Sequence, residues 1–97
     1  METKINEAKE LDRDQMIEFL GKYLGFTRTS EEFDGTKGGI WTSAENGESL
    51  SGSKIFNYYS DSSKYEFGVL NKFADLLNKR GWYCEFYDPG TVMIWPN

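Results

Sequence analysis

Two carboxylate clusters and one thiol are the groups in this chain that could carry reaction chemistry. Glu31, Glu32 and Asp34 stand together at an Asp34-Gly35 turn, and Glu45 and Glu48 bracket Asn46-Gly47. Paired acids can divide the general-acid and general-base roles of glycoside hydrolysis, but that chemistry also needs a deep cleft for the sugar. A small domain rarely supplies one, so each cluster reads as the solvated face of a turn. Cys84 has no histidine to take its proton, because the chain contains none. Its apolar strand context predicts a buried small hydrophobe and not a nucleophile.

The missing histidine also removes the commonest metal ligand and the ordinary catalytic triad. A single cysteine without histidine rules out the usual structural zinc sites. Gly38-Gly39 leads into a strand and not into a helix N-terminus, so it does not form a phosphate cradle. Asp61-Ser62-Ser63-Lys64 lacks the alternating oxygen ligands and the glycine of a calcium loop. The expectation is a non-enzymatic protein with no catalytic residue, no metal and no cofactor.

The charge balance narrows the partners. With 16 acidic and 11 basic residues the formal net charge is −5. A nucleic-acid binder needs a basic footprint that releases counterions, and an anionic membrane attracts basic segments. Direct binding to either is not expected. The interspersed Lys and Arg also argue against a surface that imitates DNA. A protein partner, itself basic, fits the balance better. One unpaired cysteine, no signal-peptide pattern and no apolar run of membrane-spanning length predict a cytoplasmic location.

Aromatic residues are the strongest compositional feature: seven Phe, six Tyr and three Trp among 97 residues. Large rings bury much area each, so a short chain can build a core from few of them. Many are concentrated in the last third, where Trp82-Tyr83-Cys84-Glu85-Phe86-Tyr87 is followed by Asp88-Pro89-Gly90 and Thr91-Val92-Met93-Ile94-Trp95. This pattern predicts a β-hairpin. With a three-residue loop 88–90, Tyr87 opposes Thr91 and Phe86 opposes Val92. Side chains alternate along a strand, so Trp82, Cys84, Phe86, Val92 and Ile94 share one face. Tyr83, Glu85, Tyr87, Thr91, Met93 and Trp95 share the other. A two-residue loop would mix the two sets, so burial favours the first register.

Two helices position this hairpin. Asp12 and Gln15 form a capping-box pattern, with Leu11 and Met16 at the staple positions. Met16, Phe19, Leu20, Tyr23 and Leu24 then follow helical spacing, which predicts a helix over 12–24 ended by Gly25. Ser63 and Glu66 repeat the capping pattern, and Phe67, Leu70, Phe73 and Leu77 form an apolar stripe to Arg80. A helix over 63–80 closed by Gly81 is expected. Within it, Gly68 would cost about 1 kcal/mol relative to alanine, and would allow close approach of another backbone.

Between the helices, Phe26–Phe33 and Gly39–Ser43 read as strands. Lys54–Tyr59 reads as a docked loop or a single helical turn. The connection 44–62 is long for a small domain, which points to function or mobility. Residues 1–10 form a polar arm or a helix extension, and 11–97 form one domain. The fold class expected is α+β: a small antiparallel sheet of about three to four strands, two amphipathic helices packed mainly on one face, and a C-terminal hairpin.

The outer hairpin face has the composition of an interface core, in which Tyr, Trp and Met are enriched. Tyr83, Glu85, Tyr87, Met93 and Trp95 are therefore the predicted partner-binding residues. Tyr58 and Tyr59 in the long loop are added to them. The function predicted is a small acidic protein-binding module, an accessory or inhibitory factor that is monomeric or homodimeric. Phage-encoded inhibitors of host nucleic-acid machinery offer a compositional analogy, with no shared motif. The alternative is a small-ligand binder that uses an aromatic pocket between the sheet and loop 44–62.

Overall fold

The computed structural model describes residues 10–45 and 49–97. The predicted arm lies, apart from Glu10, outside the described residues, as do Asn46-Gly47 and Glu48.

Helix α1 spans Arg13–Leu20 and starts as its sequence dictates. Asp12 Oδ1 accepts from the Gln15 N–H at 2.9 Å, and Gln15 Oε1 accepts from the Asp12 N–H at 3.0 Å. The capping box thus satisfies two backbone donors at once. The helix is shorter than predicted. It closes at Gly21, in a right-handed conformation, and residues 21–23 continue as turns. The Leu24 N–H still reaches Leu20 O at 2.9 Å, which keeps Leu24 buried.

The predicted 26–33 strand survives only as β1 (Arg28–Thr29), because the chain then turns into a short helix α2 (Ser30–Asp34). Ser30 is the cause. Its buried hydroxyl donates to Thr36 O at 2.6 Å and accepts from the Gly39 N–H at 2.9 Å. Its own N–H bonds Gly39 O at 2.9 Å. These bonds close the 30–39 segment into a loop. Gly35, at φ 84°, supplies the left-handed residue that ends α2. Strand β2 (Ile40–Ser43) follows as predicted.

Two small ribbons come next: β3 (Ser49–Leu50) with β4 (Ser53–Lys54), and β5 (Tyr65–Glu66) with β6 (Val69–Leu70). Helix α3 (Asn71–Asn78) follows directly. The expected 63–80 helix is therefore wrong over its first half. The reason lies in the tyrosine-rich segment before it. Residues 55–57 run extended and pair with 68–70: Phe56 bridges Val69, Asn57 N–H donates to Gly68 O at 2.8 Å, and Leu70 N–H donates to Ile55 O at 2.9 Å. That pairing satisfies backbone groups on both segments while burying Ile55, Phe56, Val69 and Leu70. A helix from Ser63 would serve only its own backbone. Local helical preference yields to tertiary pairing. Gly68 does admit a close neighbour, the Tyr58 backbone, but in a turn and not in a helix.

Strands β7 (Trp82–Asp88) and β8 (Thr91–Pro96) form the hairpin. The main sheet has the order β1-β2-β8-β7, antiparallel throughout. The predicted parity holds: Phe86 opposes Val92, Cys84 opposes Ile94 and Glu85 opposes Met93. The loop differs. Asp88 pairs with Thr91, and Tyr87 is left in a bulge. Pro89 and Gly90 are then the two loop residues, and Pro89 takes the second position of the turn, which its fixed φ suits. Asp88 Oδ1 accepts from the Gly90 N–H at 3.0 Å to fix it.

One face of the sheet carries the main core. Met16 and Leu20 of α1 and Phe73 and Leu77 of α3 are fully buried with Ile40, Val92 and Ile94. The other face has a smaller aromatic cover that the pattern did not predict. Phe33 of α2 and Phe26 flank the Trp41 ring at 5.1 and 5.2 Å between centroids. The structure thus mixes three helices with a four-stranded antiparallel sheet and a C-terminal hairpin. Among the described residues no helix is long and apolar enough to cross a membrane.

Candidate partner-binding groove

β7 lies at one edge of the main sheet. The free side of that edge opens into a groove of about 760 Å³. Its floor is Cys84 and Phe86. One wall is the β5–β6 turn with Tyr58, and the opposite wall is Ala74 and Asn78 of α3. Tyr83 and Glu85 form the rim. Helix and turn therefore stand apart over the end of the sheet, with no described segment between them. The volume lies inside the range of about 300–1,000 Å³ usual for binding sites.

Phe67 dominates the turn wall. It is 91 % exposed. Its φ is 52° and that of Gly68 is 83°, so both central residues of the two-residue turn are left-handed. That is a type I′ pattern, which favours Asn-Gly. A bulky ring in this backbone region is a genuine outlier. The turn is held regardless, because β6 is fixed by its pairing with 55–57 and Gly68 sits against Phe86. An added Cβ at Gly68 would lie 2.8 Å from the Phe86 ring.

The structure divides the predicted binding residues into two groups. Tyr58, Tyr83 and Glu85 come together at the groove. Tyr59 is 82 % exposed beside them, its ring 5.0 Å from that of Tyr58. Tyr87 lies apart: the bulge turns it toward α2, where its ring meets Phe33 edge-on at 5.0 Å. Trp95 is half-buried over Gly39, whose position would place a Cβ 2.4 Å from the indole. Met93 is buried, beside Trp41 in the sheet, and contributes no surface. The outer hairpin face is thus open only in part: Tyr83 and Tyr87 are exposed and Trp95 is half-buried, whereas Met93 is covered. Sequence parity sorted the hairpin correctly, but it did not show that Phe26, Phe33 and Trp41 would close over half of the outer face. The Trp41 indole N–H is buried there with no partner among the described residues.

Glu66, Phe67, Val69, Ala74 and Asn78 of the walls, with Cys84 and Phe86 of the floor, line the groove but were not among the predicted binding residues. A signal for Phe67 was present. An X-Gly pair flanked by Tyr65-Glu66 and Val69-Leu70 is also a hairpin pattern, which the helical stripe masked. The expected aromatic pocket between the sheet and loop 44–62 coincides in part with this groove, since Tyr58 of that loop faces Tyr83 and Phe86 of the sheet across it. A small cavity of about 180 Å³ beside Leu50 and Ser53 is lined mainly by polar residues and lysines.

The carboxylates have structural partners. Arg13 Nη1 donates to Glu31 Oε1 at 2.7 Å and the Gly38 N–H donates to Oε2 at 3.2 Å. The Arg13 hydrogen bond, with backbone donors after it, holds the Glu31 carboxyl down at about 2. Asp34 is lowered by the Thr36 hydrogen bonds. Glu32 accepts from Thr29 and pairs with Arg28 at 3.6 Å. These contacts tie α1, α2 and the 36–39 loop together. Burial, with the Glu85 charge beside it, pushes the Cys84 thiol up to about 12, so the floor of the groove presents a protonated sulfur at neutral pH. Among the described residues no group of acids and thiols is placed to hold a metal ion.

No family model, curated protein or solved structure matches this chain.

Proposed function

We propose that this chain is a non-enzymatic protein-binding module that receives its partner at the β7 groove, as an accessory or inhibitory factor. The observation that carries the reading is the exposed Phe67 at the lip of the groove. No described residue buries that ring, and its backbone conformation is an unfavourable one. Exposed apolar surface beside a formed groove is the usual mark of an interaction site. Tyr58, Tyr59 and Tyr83 extend the surface, and rigid amphipathic rings of this kind make good interface anchors. The acidic balance of the chain favours a basic partner.

The test uses immobilised protein and an extract of the cells that naturally make it. A polypeptide retained by the wild type and lost with a Tyr58→Ala, Tyr83→Ala double variant of equal helicity supports the proposal. Identical retention by both proteins overturns it. The size of the groove favours one second reading, capture of a small aromatic or amphipathic ligand. A thermal-shift screen with nucleotides and metabolites separates the two, because a specific ligand raises Tm progressively with its concentration.

A further inference from the structure

The backbone of β7 defines how a partner would be held. In an antiparallel ladder only alternate residue pairs exchange N–H···O bonds. The Asn97 N–H donates to Gly81 O at 2.8 Å, which makes the Trp82–Pro96 pair a non-exchanging one. Pro96, which lacks an N–H, fits only there. Alternation then gives Tyr83 and Glu85 the exchanging positions, opposite Trp95 and Met93. On the far side of β8, the Ala44 N–H donates to Gly90 O at 2.9 Å, which requires Val92 and Ile94 to bond β2 and not β7. Both observations agree. The N–H and C=O groups of Cys84 and Phe86 point out of the sheet edge into the groove, and no described segment pairs with them; Trp82 has the same orientation but is buried beside Leu11.

Natural proteins protect such an edge with a short strand, an edge proline, a lysine or a covering segment. β7 has seven residues, no lysine and no proline. Its one bulge lies at Tyr87, beyond the residues with outward-pointing groups. The groove lies along this edge, under Phe67.

We infer that β7 accepts an extended segment of a partner polypeptide as a fifth antiparallel or parallel strand, apolar at alternate positions and carrying Lys or Arg between them. This rests on the protein-binding reading and gives it a recognition mode. Main-chain bonds to Cys84 and Phe86 supply affinity, as in strand addition generally. Alternate side chains of the segment enter the groove between Phe67 and Ala74. The residues between them emerge on the rim side, beside Glu85. Charge selects this occupant over a second copy of the chain. The groove lining contains Glu66 and Glu85 but no Lys or Arg, and neither carboxylate has an ion pair among the described residues. A second copy would bring the same carboxylates and a further charge of −5 to the edge. A basic segment neutralises them.

The experiment selects linear peptides of about ten residues from a random displayed library against the full chain. The best binder is then added to ¹⁵N-labelled protein for amide hydrogen exchange. The expected binders alternate apolar and basic residues. They slow exchange at Cys84 and Phe86 by about tenfold or more, while Tyr83 and Glu85, already bonded to β8, change little. Methylating alternate peptide nitrogens abolishes binding, and Phe67→Asn weakens it by about tenfold with the fold intact. Failure to select any binder overturns the inference. So does a binder that leaves the Cys84 and Phe86 amides exchanging as before. In that case partner capture by the Tyr58 and Tyr83 surface can still succeed, so the two readings fail separately. A concentration-dependent dimer that protects the same amides in the absence of peptide also overturns it, and assigns the edge to a second copy.

Discussion

Replacing Phe67 with asparagine should make this protein more stable. The left-handed backbone costs an L-residue with a Cβ about 1–2 kcal/mol. Asparagine tolerates that region well and is the preferred first residue of a type I′ turn. The opposing loss is small. Burying a whole Phe side chain is worth about 1.5–3 kcal/mol. With 91 % of Phe67 exposed, only about a tenth of that is forfeited. The net gain is about 1 kcal/mol. For a domain of this length, that raises Tm by about 4–8 °C. Thermal unfolding followed by far-ultraviolet circular dichroism measures the shift. A urea titration at unchanged slope confirms that the folded state is responsible. The same variant should lose partner or peptide binding. Stability and binding moving in opposite directions is the signature of a residue kept for function. An unchanged or lowered Tm would show that the ring supports the fold, and would remove the main argument for the groove.

Gly68→Ala should destabilise by about 2–3 kcal/mol, since its Cβ would meet the Phe86 ring and the Tyr58 backbone at a φ of 83°; denaturant titration reads the loss, and a neutral result would mean that the turn can slide. Glu31 titrates well below its ordinary 4.5, so its stabilising contribution is complete above about 4.5 and disappears as pH falls toward about 2. Glu31→Gln should therefore destabilise at neutral pH, and its deficit against wild type should close across that interval in pH-dependent unfolding. Thr42→Val should cost about 1–3 kcal/mol by leaving the carbonyl of Phe26, 2.6 Å from the threonine hydroxyl, without its donor. Cys84, with its thiol pushed up to about 12, should react slowly with a disulfide reagent at pH 8 in the native state and quickly in urea; equal rates would show an open, ionisable thiol.

The parts of the fold that are legible in the sequence are those in which a local pattern has no competitor. The Asp12 capping box, the β2 strand and the inward set Trp82, Cys84, Phe86, Val92 and Ile94 follow from residue type and spacing. What is not legible depends on pairing between distant segments. Nothing within residues 63–80 indicates that 68–70 will bond to 55–57, because the stripe Phe67, Leu70, Phe73, Leu77 satisfies helical periodicity. Ser30 is similar: its hydroxyl bonds residues six and nine positions later, and those bonds convert an apparent strand into a helix and loop. The groove was legible in part. Tyr58, Tyr83 and Glu85 were identified by composition and do line the groove. Met93 was misplaced because parity tells which side of a sheet a residue faces, and not what lies over it.

The second-helix error and the site are connected. A helix over 63–80 would bury Phe67 in the apolar stripe and leave no turn above β7. Bending this segment into a ribbon gives up about four residues' worth of helix at either side of Gly68 and puts one phenylalanine into an unfavourable backbone state. In return Val69 and Leu70 reach the core through pairing with 55–57, and a groove opens beside a strand edge that no described segment pairs with. Core burial alone explains why the ribbon forms. It does not explain a phenylalanine at the tip, where asparagine would give the same ribbon at lower energy. Ser51 shares this left-handed backbone, but it is small and polar; the exposed ring at Phe67 breaks the local rule without a packing benefit among the described residues, and that is what supports reading it as a contact for a partner.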